Sequence, residues 1–99
     1  MLDLERVVGF EWDQGNARKN ERHGVSQSEA EQVFFDADLF VAAHASHSTA
    51  ESRYHALGAT FGDRLLHVTF TLRADRTRIR VISARDMHRK ERNIYERQG

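Results

Sequence analysis

Val8, Phe10 and Trp12 occupy alternate positions near the start of the chain, which puts all three on one face of a short strand over 7–12. Asp13 then stands where a helix N-cap belongs, and the polar run 14–22 ends at His23-Gly24, with Gly24 suited to a left-handed C′ position. Ser26-Gln27-Ser28-Glu29 has the form of a capping box, and Ala30, Val33 and Phe34 follow at helical spacing, predicting a second helix over 27–35. Four strand-like segments come next, at 38–43, 52–60, 64–72 and 77–84. The third is the clearest, because Leu66, Val68, Phe70 and Leu72 alternate with Leu65, His67, Thr69 and Thr71. Gly62-Asp63 and Ala74-Asp75 read as tight connections between antiparallel neighbours. Ser83-Ala84-Arg85-Asp86 predicts the start of a closing helix that turns Met87, Ile94 and Tyr95 inward. The expected fold is α+β, an antiparallel sheet with packed helices in the order β-α-α-β-β-β-β-α.

Composition narrows the function classes more than it changes this outline. Ninety-nine residues leave room for one domain, spanning 1–99, with one modest core. The absence of cysteine removes disulfides, thiolate metal sites and a Cys nucleophile. The N-terminus lacks the pattern of a signal peptide and no apolar run approaches a membrane span, so a cytoplasmic location is expected. Formal charge is zero but divided along the chain. Residues 1–50 hold four Lys/Arg against nine Asp/Glu, a net of −5, and residues 51–99 hold eleven against six, a net of +5. Such separation suits a polyanion-binding face, or two halves that pair with each other on folding.

The basic half contains the candidate chemistry. Strand alternation places Arg76, Arg78 and Arg80 in one row, a repeat that suits a phosphate backbone, or else a solvated edge kept basic against aggregation. On the closing helix His88, Glu91, Arg92 and Tyr95 fall at i, i+3, i+4 and i+7 and share a stripe, which is also an ordinary pattern for an exposed helix. Cleaving RNA without a metal needs a base for the ribose 2′-hydroxyl, a cation for the phosphorane and an acid for the departing 5′-oxygen. Glu91 or His88 is a candidate base, Arg85 or Arg92 a phosphate clamp, and His88 or Tyr95 an acid. A second basic group, Arg18, Lys19, Arg22 and His23, closes the first helix, where the helix dipole alone favours cations. Six histidines, including His44 and His47, lack a recurrent ligand spacing, so neither a metal nor another cofactor is expected. His55 and His67 read as half-buried cross-strand partners, and Phe10 and Trp12 as core.

Several strings are more specific. Phe10-Glu11-Trp12-Asp13, Gly15-Asn16 with Lys19, His23-Gly24-Val25-Ser26, Glu29-Ala30-Glu31 and Val33-Phe34 together resemble the N-terminal pattern of the BrnT toxin family. Ile82-Ser83-Ala84-Arg85, Met87-His88, Lys90-Glu91 and Tyr95-Glu96 resemble its closing signature, and Arg53, Leu57-Gly58, Gly62 with Arg64, and Phe70-Thr71-Leu72-Arg73 keep register between them. The resemblance covers about residues 10–96. It implies a type II toxin with a RelE-like fold, a metal-independent RNA endonuclease neutralised by a BrnA-like antitoxin. Operator DNA is then reached only through the antitoxin, and a homodimer or a larger assembly with the antitoxin is compatible with it. Lys19, His23, Arg64, Arg85, His88, Glu91 and Tyr95 fall on matching motif positions, and Arg22, Arg64, Arg76, Arg78, Arg80 and Arg92 are the expected RNA contacts. Arg22 replaces a more usual Lys, Ala59 a frequent Arg, and Asp86 a larger residue beside the clamp. The competing class is a non-catalytic module whose basic face binds an acidic protein partner.

Overall fold

The computed structural model describes residues 4–16, 23–43 and 52–97. Its centre is a five-stranded sheet of β1 (Gly9–Glu11), β2 (Phe40–Ala43), β3 (Tyr54–Ala59), β4 (Leu65–Arg73) and β5 (Arg78–Asp86). These lie in the spatial order β1-β5-β4-β3-β2. β2 to β5 pair antiparallel with their sequence neighbours, and short turns join β3 to β4 and β4 to β5. β1 pairs with β5 in parallel, Phe10 opposite Ile79, so the sheet is mixed and the all-antiparallel expectation is corrected. Hairpin signals report only on strands adjacent in sequence, and the partner of β1 lies almost seventy residues away.

The period-two pattern separates the faces. Phe10, Ala56, Leu66, Val68, Phe70, Ile79 and Val81 point to one side, where α1 (Gln27–Gln32) and a 3-10 turn (Val33–Phe35) cover them. The Ser26 hydroxyl accepts from the Glu29 N–H at 3.0 Å, and Glu29 accepts from the Ser26 N–H at 3.1 Å, which completes the capping box. Ala30 and Val33 are fully buried beneath it. Phe34 meets Phe70 edge-on at 5.0 Å and Phe10 at 5.7 Å, while Tyr54 stacks on Phe70 at 5.4 Å, so aromatic contacts cross the sheet from β1 to β3. Gly58 makes the close approach possible. A Cβ there would lie 2.7 Å from Val33 Cγ1 and 3.0 Å from its carbonyl oxygen.

Asp13 does begin a helical turn at 14–16: its carboxylate accepts from the Asn16 N–H at 3.1 Å, and Asn16 Oδ1 accepts from the Asp13 N–H at 2.6 Å. The expected continuation through 17–22, with Arg18, Lys19 and Arg22, lies outside the described residues, as do His44 and His47. Gly24 has φ +67°, as its C′ position requires.

Two further expectations change. Arg76 belongs to the turn between β4 and β5, where Ala74, Asp75 and Arg76 all have φ between +53° and +69°, so it does not extend the Arg78/Arg80 row. The closing helix α2 is Arg89–Glu96, and Ser83 to Asp86 remain in β5. Their backbone pairs with Thr69 to Leu66, next to a register shift between Thr69 and Phe70, and ladder hydrogen bonds outweigh a local cap signal. The cap is His88, whose N–H donates to Glu91 Oε1 at 2.8 Å. Met87 is buried, but Ile94 is 40% exposed and does not enter the core.

Candidate active site

The second face of the sheet carries Phe40, Ala42, His55, Leu57, His67, Thr69, Thr71, Arg73, Arg78, Arg80 and Arg85 by strand alternation. α2 returns across one end of this face and closes a groove of about 380 Å³. Phe40, Ala42, Leu57 and Ile94 make its apolar part, and His55, His67, Arg85 and Glu91 its polar end.

Register explains why those groups meet. His67 on β4 lies opposite Arg85 on β5 and Leu57 on β3. Six residues after Arg85, Glu91 projects from the first turn of α2 toward the same point. Arg85 donates from Nη1 to Glu91 Oε1 at 2.8 Å and from Nη2 to Oε2 at 2.9 Å, a two-pronged contact. Arg85 Nη1 also reaches the Asp86 carbonyl at 3.1 Å. These contacts use three of the five guanidinium N–H donors, so the fork is fixed and can still take an anion. Burial opposes ionisation of Glu91, but the Arg85 fork and the His88 N–H overcome it and hold the carboxyl down at about 2.

His67 is 8% exposed, and its ring lies 4.9 Å from that of His55. The Thr69 hydroxyl sits 3.2 Å from His55 Nδ1. Desolvation lowers the His67 pKa to about 4; Glu91 opposes that shift and the neighbouring Arg85 reinforces it. His67 is therefore a neutral imidazole at pH 7. Its Nε2 is 3.8 Å from Glu91 Oε2, too long for a hydrogen bond, and its buried Nδ1 has no hydrogen-bond partner among the described residues.

The remaining expected site residues are distributed differently. His88 is exposed at the N-terminus of α2, beside Glu91, and Arg92 is exposed on the same helix. Tyr95 donates its hydroxyl to Asp36 Oδ2 at 2.6 Å. Desolvation and that carboxylate raise the phenol pKa, so Tyr95 latches α2 to the loop before β2 and is a poor acid. Asp36 also accepts from the Ala59 N–H at 2.7 Å. Arg64 is a bracket: it reaches Asp86 from Nε at 2.8 Å and Nη2 at 3.1 Å, and Glu29 and the Gly24 carbonyl from Nη1. Asp86 thus faces away from Arg85. Arg80 pairs with Glu11 at 3.3 Å and Asp13 at 2.8 Å. Part of the basic second half therefore does pair with the acidic first half, the alternative that the charge division left open. His23 is exposed ahead of α1, and Lys19 and Arg22 lie outside the described residues.

The closing signature brings Arg85 and Glu91 together in the sequence, whereas His55 and His67 read there as half-buried or cross-strand residues rather than as catalytic groups. Strand alternation around Leu66, Val68 and Phe70 already put His67 on the opposite face, and a histidine paired across from Arg85 was the available signal. Among the described residues no group of three His, Asp or Glu side chains could hold a metal ion, and no helix is long and apolar enough to cross a membrane.

Comparison with curated protein sequences gives no match. The family model described as the ribonuclease toxin BrnT of type II toxin-antitoxin systems matches residues 12–91. That span includes the β4, β5 and α2 residues that meet in the groove, and stops short of Arg92 and Tyr95. With four-fifths of its length inside the match, the chain belongs to the BrnT family, the ribonuclease toxins of type II toxin-antitoxin systems.

Proposed function

We propose that the chain is a metal-independent endoribonuclease that cuts RNA in the groove between the sheet and α2. The observation that carries this reading is the convergence of a neutral imidazole, a fixed guanidinium and its carboxylate from three separate elements: His67 from β4, Arg85 from β5 and Glu91 from α2. The apolar part of the groove suits a nucleobase and the polar end its phosphate.

In this mechanism His67 accepts the proton of the ribose 2′-hydroxyl, and the 2′-oxygen attacks phosphorus. Arg85 takes up the charge that develops on the phosphorane, with Glu91 holding the guanidinium in place. The bond from phosphorus to the 5′-oxygen breaks, and His88, exposed at the N-terminus of α2, delivers a proton to that oxygen. The products are a 2′,3′-cyclic phosphate and a 5′-hydroxyl. Glu91 is then a positioning residue, because both its oxygens accept from Arg85 and a carboxyl held at about 2 is a weaker base than the His67 imidazole. Lys19 and Arg22 supply further cations to the RNA, His23 adds a hydrogen-bonding side chain beside them, and Arg64 and Tyr95 serve the scaffold. A BrnA-like antitoxin neutralises the toxin by covering the groove, and the fold is RelE-like.

Purified protein in EDTA should cleave RNA, and Arg85→Ala should lower the rate about 10²-fold or more, the usual cost of losing one donor to a developing oxyanion. An Arg85→Ala variant as fast as the parent would remove the groove as the site. The alternative of a non-catalytic module predicts intact RNA with either protein.

A further inference from the structure

The same face of the sheet has a second recess that the chemistry above does not use. It is about 280 Å³ in volume and is lined by Arg53, Arg73 and Arg80, with Thr71 and Gly15 beside them. The three arginines come from the lead into β3, the end of β4 and the start of β5. Arg80 is held in the wall by Glu11 and Asp13. Arg53 is exposed, and Thr71 lies opposite Arg80 in the β4/β5 ladder.

Its position relative to the groove follows from the strands. His67 and Thr71 share a face of β4 and are four residues apart, which puts the recess ~13 Å from the groove along the strand. An extended RNA strand covers that distance in roughly two nucleotides. Arg78, exposed on β5 across from Arg73, continues the basic line past the recess. Three guanidinium groups around one concavity match the oxygens of a phosphodiester better than a base or a neutral ligand.

We propose that this recess is a second phosphate subsite, which binds the RNA backbone about two nucleotides from the scissile bond and fixes the register of the strand in the groove. The assignment rests on the reading of the groove as the place where RNA is cut. Its consequence is length dependence: a dinucleotide occupies the groove alone, and a hexanucleotide reaches both places.

The test uses non-cleavable 2′-O-methyl oligonucleotides of two and six residues, with affinity read by fluorescence anisotropy over a range of salt concentrations. The full chain should bind the hexamer more tightly than the dimer. Arg53→Gln and Arg73→Gln should each weaken the hexamer several-fold and lower its salt slope by about 0.7, the value for one phosphate contact on a single strand. Dimer binding should not change. Arg53 is at the surface, so its variant keeps the test informative if Arg73→Gln fails to fold. Equal affinity of the two lengths for the parent protein, or Arg53→Gln losses of the same size on both, would overturn the subsite. Cleavage of unmodified RNA by the same preparations separates the two ideas: length-dependent binding without cleavage would end the nuclease reading and leave the subsite in place.

Discussion

Acidification from pH 7.5 to 5.5 should destabilise this protein through one side chain, His67. Its pKa is about 4 in the folded state against an ordinary 6.5 in the unfolded chain. The unfolded chain therefore takes up a proton before the folded one does. The stability associated with the neutral ring is fully present above about pH 6.5 and is lost as the pH falls toward 4. A difference of about 2.5 pH units gives a loss of about 1.4 kcal/mol at pH 5.5 and about 3 kcal/mol at pH 4. Glu91, held at about 2, contributes little above pH 5, because even its unfolded form is ionised there. His67→Phe is the matched control, as it keeps a ring against His55 and cannot titrate. Urea denaturation of both proteins at pH 7.5 and 5.5 should show the parent losing about 1.4 kcal/mol more than the variant. Equal losses would mean that His67 is not a buried neutral imidazole, and its role as the base would fall with that.

Other consequences concern the parts that hold the groove in shape. Gly58→Ala pushes a methyl group into Val33 and should cost about 1–3 kcal/mol in chemical denaturation; an unchanged midpoint would show that the 3-10 turn does not pack as closely as described. Tyr95→Phe removes the hydrogen bond to the Asp36 carboxylate and should cost about 1.5–3 kcal/mol, with faster amide exchange in α2, whereas a silent substitution would rule out the latch. Arg64→Leu and Asp86→Asn should be non-additive, with a coupling of about 1 kcal/mol in a double-mutant cycle; independent effects would dissolve the bracket.

Local sequence rules located the features that depend on neighbours in the chain. Ser26 and Glu29 cap α1, Asp13 and Asn16 cap the earlier turn, and the alternation from Leu65 to Leu72 is the central strand. What was missed depends on partners far away. Nothing near Phe10 signals that β1 will lie parallel to β5, and nothing near Ser83 shows that its backbone is already claimed by β4. The site divides in the same way. Arg85 and Glu91 are six residues apart, and the resemblance placed both in one signature. His67 enters only through cross-strand register. Arg64 and Tyr95, both expected in the chemistry, are taken up by Asp86, Glu29 and Asp36, acids whose placement depends on the tertiary fold. Alternation puts Arg76 in a row with Arg78 and Arg80, but the alternation stops at the turn, where three consecutive residues are left-handed.

The chemical identity of the ends left after cleavage bears most directly on the idea that protein side chains alone move the protons at an attacking ribose oxygen. RNA cut by the purified chain in EDTA should carry 2′,3′-cyclic phosphate and 5′-hydroxyl termini, and a 2′-deoxy residue at the scissile position should block the cut. Products with 3′-hydroxyl and 5′-phosphate ends, or cleavage that survives the 2′-deoxy substitution, would contradict the account, because water rather than the ribose would then be the nucleophile.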